Sequence, residues 1–451
     1  WEPLKPGNGN LGCAVFVPGT AAETRTTASD YLLVTPVPAG GVLVYYAGFG
    51  WDRRGDVPDA GAWARLVEAD RQAVAAPLQI TLAKLGGAES QAVRMAASVM
   101  ARAPGVLTDR WEYDTGLVLR GLERVGLAKG NPATLDYVKR TIDGLVDGAG
   151  AIKGYRPDEY NIDQLNMGRV LFHLWAEAKG ADQQRYRKAI ESLRDQMRTH
   201  PRTADGAFWH KRIYPHQMWL DGVYMASPFL AEYAATFGEP ALFDDVARQI
   251  LLAEEHLRDS RTGLLYHGWD ERRHERWADR KTGHSSQFWG RAVGWYAMAV
   301  VDVLEWLPVA HPRRAAVLAV LERLAAAVAR VQDGPTGVWW QILDRAGQPG
   351  NYREASASAM IVYALAKAVR NGWLPRTTYA PVAARGFAGI VRELVRADAE
   401  GRISIQNVCK VAGLGGNPYR DGSYAYYTGT EVVTNDPKGV GAFLLAAVES
   451  E

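Results

Sequence analysis

The sequence predicts an all-α (α/α)6 barrel carrying a small β-rich N-terminal appendage. Three observations predict it. Six apolar segments recur at a loose spacing of roughly 50 to 80 residues, the mark of a repeat-built architecture. Six amphipathic segments alternate with them. The unusual polar residues gather just before, or in the first turn of, the apolar segments, which places them together at one end.

Residues 1–86 stand apart from 87–451 in character. Tyr31 to Trp51 (YLLVTPVPAGGVLVYYAGFGW) is β-branched and aromatic, and it is broken by Pro and Gly. It reads as two strands joined by a turn at Ala39-Gly40-Gly41. So few strands do not make an independent sandwich. The expectation is the remnant of a larger β-domain.

From about Ala88 the chain reads as helical. The apolar segments open at Asp114, Ile162, Asp221, Gly290, Ala355 and Lys438. Each is apolar nearly all round, as a helix buried on every side should be. The amphipathic segments open at Ser90, Pro132, Gln183, Ala241, Arg313 and Thr377, each with one charged face. Buried helices would form an inner ring and half-exposed ones an outer ring. The inner helices would run parallel, with their N-termini at one mouth. A helical solenoid gives a similar list and is the alternative architecture.

The polar clusters are WEYD (111–114), Asn161 with Asp163, His210 with His216 and Asp221, HSSQFWGR (284–291), YREASAS (352–358) and NDPKG (435–439). Helix N-termini add partial positive charge and free N–H groups at such a mouth, which favours an anionic ligand. Asp163 and Asp221 have a simpler reading as N-caps. Ser227-Pro228 is itself a good start signal, so the third inner helix would begin or kink there. His210 and His267 would serve equally as satisfied loop histidines. The stretch from Gly401 to Tyr427, rich in Gly and Tyr, either roofs the mouth or is a long connection.

Composition narrows the function. The 451 residues are 47% hydrophobic and 23% charged, ample for a large core. A net charge of +2 shows no polyanion footprint, so no nucleic-acid partner is expected. No apolar run is long enough to cross a bilayer. Cys13 and Cys409 form no metal or redox motif, and no His or Cys spacing supports a metal. No phosphate-binding or dinucleotide fingerprint stands in the right context. The 15 Trp and 20 Tyr supply flat faces that suit sugar rings as well as a core. The start at Trp1 implies processing or trimming, which leans toward the periplasm or outside, with the cytoplasm as the alternative. Oligomeric state is not readable.

RWEYDTG, YNIDQLNMGRVL, QMWLDGVYMASPFLAEY, LLYHGWD, SSQFWGRAVGWYAMA, GVWWQILDR, YREASASAM and NDPKGVGAF run in order along the helical region. In these motifs the chain from about Ala88 to its end resembles glycoside hydrolase family 105, the unsaturated rhamnogalacturonyl hydrolases. These are relatives of the family 88 unsaturated glucuronyl hydrolases. The N-terminal segment resembles the tail of a β-domain sometimes joined to such enzymes.

The resemblance implies a barrel that removes a non-reducing 4,5-unsaturated uronic acid, galacturonyl or glucuronyl, from lyase-generated oligosaccharides. In that chemistry an aspartic acid protonates C4 of the vinyl ether, water adds at C5, and the aglycone leaves. Asp221 matches the acid and base, and Asp163 the second carboxylate that holds the sugar. His210, His267, Trp289, Arg291 and Trp295 match substrate-binding positions, and Tyr113 a ring-contacting tyrosine. No metal or cofactor is implied.

Elementary electrostatics runs in parallel. Burial beside Trp219, with Asp163 nearby, would raise the Asp221 pKa and keep it an acid. Arg291 would fork the substrate carboxylate. The loops Arg272–Arg280 and Gly401–Tyr427 would set the next subsite. Three rivals remain: an inverting glycosidase with Asp221 as acid and Asp163 as base, a non-catalytic sugar-binding barrel, and an interaction solenoid.

Overall fold

The computed structural model describes residues 90–451 and, before them, the backbone of four short strands. Contacts divide the chain into Trp1–Glu89 and Ser90–Glu451. In the first unit β1 (Asn10–Leu11) pairs antiparallel with β4 (Phe49–Gly50), and β2 (Glu23–Thr26) with β3 (Tyr31–Val34). Tyr31–Val34 thus pairs with the segment before it. The turn at Ala39-Gly40-Gly41 lies outside the described residues.

The second unit is the barrel. The inner ring comprises α2 (Tyr113–Lys129), α4 (Val170–Glu177), α6 (Leu220–Phe237), α8 (Gly290–Trp306), α10 (Ala355–Arg370) and α13 (Pro437–Ser450). Each packs on the next, the second mainly through the Ile162–Arg169 turn that precedes α4, and α13 packs back on α2, so the ring closes and the solenoid is excluded. The outer helices are α1 (Gln91–Arg102), α3 (Pro132–Asp143), α5 (Gly180–Arg198), α7 (Ala241–Leu257), α9 (Arg314–Arg330) and α11 (Arg376–Leu394). Each of α3 to α11 covers the inner helix before it, and α1 covers α13.

Closure depends on small residues. A Cβ on Gly441 would meet the Leu117 backbone at 2.7 Å, and one on Gly121 would meet Leu444 Cβ at 2.7 Å. Only glycine lets α2 and α13 approach this closely. The main core is one continuous cluster from Ala92 to Ala447, and a small second cluster gathers Trp219, Trp277, Ala278 and Leu414. No helix among the described residues is long and apolar enough to cross a membrane.

One helix start differs from expectation, and one alternative start is excluded. The second inner helix opens as a 3-10 run, Ile162–Arg169, before α4. Trp111 Nε1 donates to the Gln164 carbonyl at 2.8 Å, drawing that acceptor away from the helix's own ladder. The third does not begin at Ser227-Pro228. α6 starts at Leu220 and runs through Pro228.

Candidate active site

A belt of short antiparallel pairings knits the loops at the mouth. Strand β5 (Gln217–Trp219) leads directly into α6, and it pairs with β6 (Gly268–Asp270) so that Trp219 faces Gly268. The Leu220 N–H then donates to the His267 carbonyl at 3.0 Å. This register brings His267 to Asp221, the second residue of α6. Nε2 and Oδ2 approach to 3.0 Å, off the line of a well-aligned hydrogen bond. His267 is fully buried, and its Nδ1 lies 2.7 Å from the hydroxyl of Tyr427 on α12 (Tyr424–Gly429).

A second pairing builds the other carboxylate site. Asn161 bridges Lys211, the Ile162 N–H donates to His210 O at 3.4 Å, and the His210 N–H donates to Gln217 O at 2.9 Å. Lys211 Nζ thereby reaches Asp163 Oδ2 at 2.6 Å, and His210 Nε2 stands 3.5 Å from Asp163 Oδ1. The His210 ring stacks on Trp219 at 4.3 Å, and Tyr214 also stacks on Trp219, at 4.8 Å. The glycine after Asp221 answers to this stack: a Cβ on Gly222 would sit 3.0 Å from His210 Nδ1. Neither aspartate is a cap. Asn161 caps the 3-10 run, accepting from the Asp163 N–H, and Trp219 occupies the α6 cap position.

The next inner helices supply the cation and the aromatic walls. Trp289 occupies the N-cap position of α8, its Nε1 donates to Gln341 Oε1 at 3.1 Å, and its ring lies 4.7 Å from His267. Arg291, in the first turn of α8, is 1% exposed. Its Nη1 donates to the Cys409 carbonyl and, at 3.3 Å, to Ser356 Oγ. Its Nε has no partner among the described residues. Glu354 organises that corner, accepting from Ser356 Oγ at 2.8 Å, Ala357 N at 2.6 Å and Cys409 N at 2.9 Å. Trp295 lies deeper, stacked on Tyr224 at 4.8 Å and edge-on to Tyr113 at 6.5 Å. A cleft of about 730 Å³ opens along Tyr113, Asp163, Gln164 and Lys211, with Lys153 and Lys410 at its rim. Asp221 is not part of that wall.

The electrostatics overturn one expectation. Burial pushes the Asp221 carboxyl up, but the facing His267, then His210, outweigh it and hold the group below the usual carboxylate range. Asp163 does not act as the expected like charge, because Lys211 and His210 pair with it. Burial lowers His210 to about 4, with Asp163 offsetting part of the shift, so its ring is neutral. Burial opposes the charge of Lys211, yet Asp163 raises its pKa overall. Burial and then Asp163 hold the Tyr113 phenol protonated.

The structure thus places Asp163, Asp221, His210, His267, Trp289 and Arg291 at the N-terminal ends of consecutive inner helices. Trp295 sits beneath Tyr113. The sequence reading had no role for Lys211 or Tyr427. Adjacency to His210 was the available signal for the first. The second arrives through a distant loop. Among the described residues no cluster of His, Cys, Asp and Glu could hold a metal.

Comparison with known proteins agrees with this architecture. The profile of Glycosyl Hydrolase Family 88 matches residues 91–451. A domain of unknown function, DUF4861, matches residues 1–80. A solved family 105 glycoside hydrolase of C. acetobutylicum is 44% identical, covers 80% of this chain and 99% of its own, and superposes with a TM-score of 0.78. The unsaturated rhamnogalacturonyl hydrolase YesR of Bacillus subtilis is 28% identical over 262 residues, 56% of this chain and 70% of that protein. An unsaturated glucuronyl hydrolase of Bacillus sp. GL1 shares the fold at 16% identity, with a TM-score of 0.58 over 79% of this chain and 94% of its own. The chain belongs to Glycosyl Hydrolase Family 88 and, within that grouping, stands with the family 105 enzymes.

Proposed function

We propose that this chain removes a 4,5-unsaturated uronic acid from the non-reducing end of lyase-generated oligosaccharides by hydrating the double bond. One observation carries the reading. A carboxylate flanked by two histidines opens α6, and an arginine with an unpartnered Nε opens the next inner helix, α8. An anionic substrate and a proton donor are what such a pair serves.

Arg291 takes the uronate carboxylate through its free edge. The ring then lies against Trp289, with Asp163, held by Lys211 and His210, on its hydroxyls. Asp221 starts as a carboxylate. The arriving substrate carboxylate is a like charge, and exclusion of water adds to it, so Asp221 takes up a proton as the complex forms. It delivers that proton to C4, leaving a cation at C5 that the ring oxygen stabilises. Water adds to C5 and returns its proton to Asp221. The hemiketal opens to a ketone at C5, and the hemiacetal at C1 expels the aglycone. One water is consumed and Asp221 is regenerated.

The test follows loss of ultraviolet absorbance from the conjugated double bond on galacturonyl- and glucuronyl-terminated unsaturated disaccharides, beside saturated counterparts. Absorbance loss on unsaturated substrates alone is expected. Asp221→Asn is expected to bind but lose turnover by about 10²- to 10⁴-fold. Cleavage of a saturated substrate would replace the hydration by the inverting route, and near-wild-type turnover by Asp221→Asn would remove its assigned role.

A further inference from the structure

Tyr427 arrives at the site from a strap that the inner helices do not build. After β7 (Val408–Cys409) the chain crosses the mouth to α12. Leu414 is buried with Trp219 and Trp277, and Arg420 Nη2 donates to Tyr214 OH at 2.7 Å. Ser286 Oγ donates to Gly422 O at 2.7 Å, and the Tyr426 hydroxyl accepts from Gly413 N at 3.1 Å. Ser423 caps α12, and Gln341 Nε2 donates to the Tyr427 carbonyl at 3.0 Å. So seated, the Tyr427 ring is fully buried against Trp289 at 5.6 Å, with its hydroxyl 2.7 Å from His267 Nδ1.

That hydroxyl has no other polar partner among the described residues. A buried phenol must donate its proton somewhere, and Nδ1 is the acceptor within reach. A neutral imidazole that accepts at Nδ1 carries its hydrogen on Nε2. The second argument comes from the opposite side of the ring. Nε2 faces Asp221 Oδ2 at 3.0 Å. A lone pair there would oppose the carboxylate, whereas an N–H attracts it. Both sides of the imidazole require the same tautomer.

We propose that Tyr427 is a positioning residue: its hydroxyl locks His267 as the Nε2–H tautomer and thereby holds Asp221 as a carboxylate until substrate arrives. The tautomer assignment stands independently of the proposed reaction; its catalytic consequence rests on that reading. Other groups also face the pair. His210 and Tyr113 lie in the field of Asp221, and Tyr426, Cys409 and Arg420 in that of Tyr427. None of these is recorded in contact with His267 Nδ1, so none replaces the phenol.

The experiment is nitrogen NMR of protein carrying ¹⁵N-histidine, with no substrate present. Wild type is expected to show His267 protonated at Nε2, and Tyr427→Phe to redistribute the proton toward Nδ1. Tyr426→Phe removes a neighbouring hydroxyl that ties the strap, and it should leave the tautomer unchanged. In kinetics, Tyr427→Phe should lower kcat roughly tenfold or more, the scale of hydrogen bonds that orient a working histidine. It should also move the bend of the kcat/KM profile to higher pH. An Nδ1–H signature in wild type would overturn the proposal, even if the variant fails to fold. So would a Tyr427→Phe protein with unchanged tautomer and an equal loss of rate at every pH. Failure of the proposed reaction would show as absent turnover in wild type, with the NMR result untouched.

Discussion

Arg291→Lys keeps the positive charge and removes the planar fork. In the structure the guanidinium has two jobs. Nη1 is tied to the Cys409 carbonyl and, at 3.3 Å, to Ser356 Oγ, while the group lies 4.9 Å over the Trp289 ring. Nε has no partner among the described residues and, on the proposed reading, is the edge that meets substrate. A single ammonium cannot hold the anchor and present a free edge together. The loss should be one charge-assisted hydrogen bond to the uronate carboxylate, about 1.5–3 kcal/mol, or roughly 10- to 150-fold in kcat/KM. Lysine still answers the Glu354 charge, one of the causes that raise the Arg291 pKa, so folding should survive.

The assay is absorbance decay on two forms of one unsaturated disaccharide, the free acid and its methyl ester. Wild type should prefer the acid by about the factor that Arg291→Lys removes. On the ester the two proteins should differ little, which makes the comparison a cycle between side chain and substrate group. Equal losses on acid and ester would refute the carboxylate contact and leave Arg291 as a structural anchor of the Cys409 corner.

Three further outcomes are expected. Because the free Asp221 is held below the ordinary carboxylate value and must be protonated to act, kcat/KM should fall about tenfold per pH unit through neutrality; a rise with pH would contradict the assignment. Gly222→Ala should leave thermal stability nearly unchanged, since helix propensity gains about 1 kcal/mol against a contact of 3.0 Å on His210. It should nevertheless lower kcat several-fold by displacing that ring, and unaltered kinetics would show the stack to be slack. Asp302→Asn should cost about 3–5 kcal/mol, read as a fall in melting temperature. Asp302, 1% exposed, accepts from Arg169 Nη1 at 2.8 Å, Lys367 Nζ at 2.7 Å and Tyr363 OH at 2.7 Å. Facing Lys367 and then Arg169 hold Asp302 far below its usual pKa against burial, so its contribution is complete above the unfolded value of about 3.9 and fades below it. The gap between wild type and variant should therefore narrow toward acid; a constant gap would exclude the linkage.

The helix alternation was legible because burial writes itself locally. α8 and α10 begin at Gly290 and Ala355, where the apolar segments open, since a helix enclosed on all sides has to be apolar on all sides. The pairings that assemble the site left no such trace. Trp219 opposite Gly268 and Asn161 opposite Lys211 join loops far apart in sequence, with too few residues each to show a period. The pairing of Tyr31–Val34 with Glu23–Thr26 is another that left no signal in the sequence. The same blindness produced the wrong sign for Asp221. Its sequence neighbours Trp219 and Leu220 announce burial, while the groups that oppose it, His267 and then His210, come from other loops.

That sign reverses the account of why an aspartate sits in WLDGVYM. An apolar surround alone would make a permanent acid, protonated before substrate arrives. On the proposed reading the two histidines hold Asp221 as a carboxylate at rest, the form that must take a proton from water in the second half of the reaction. The first half needs the acid form, and the substrate itself carries the charge that favours it. Proton uptake is thereby tied to filling the site, and calorimetry in buffers of different ionisation enthalpy reads it directly. Binding of an unsaturated uronide to wild type should take up close to one proton near neutral pH. The same ligand on Asp221→Asn should take up none, and equal uptake by both proteins would assign the proton to another group.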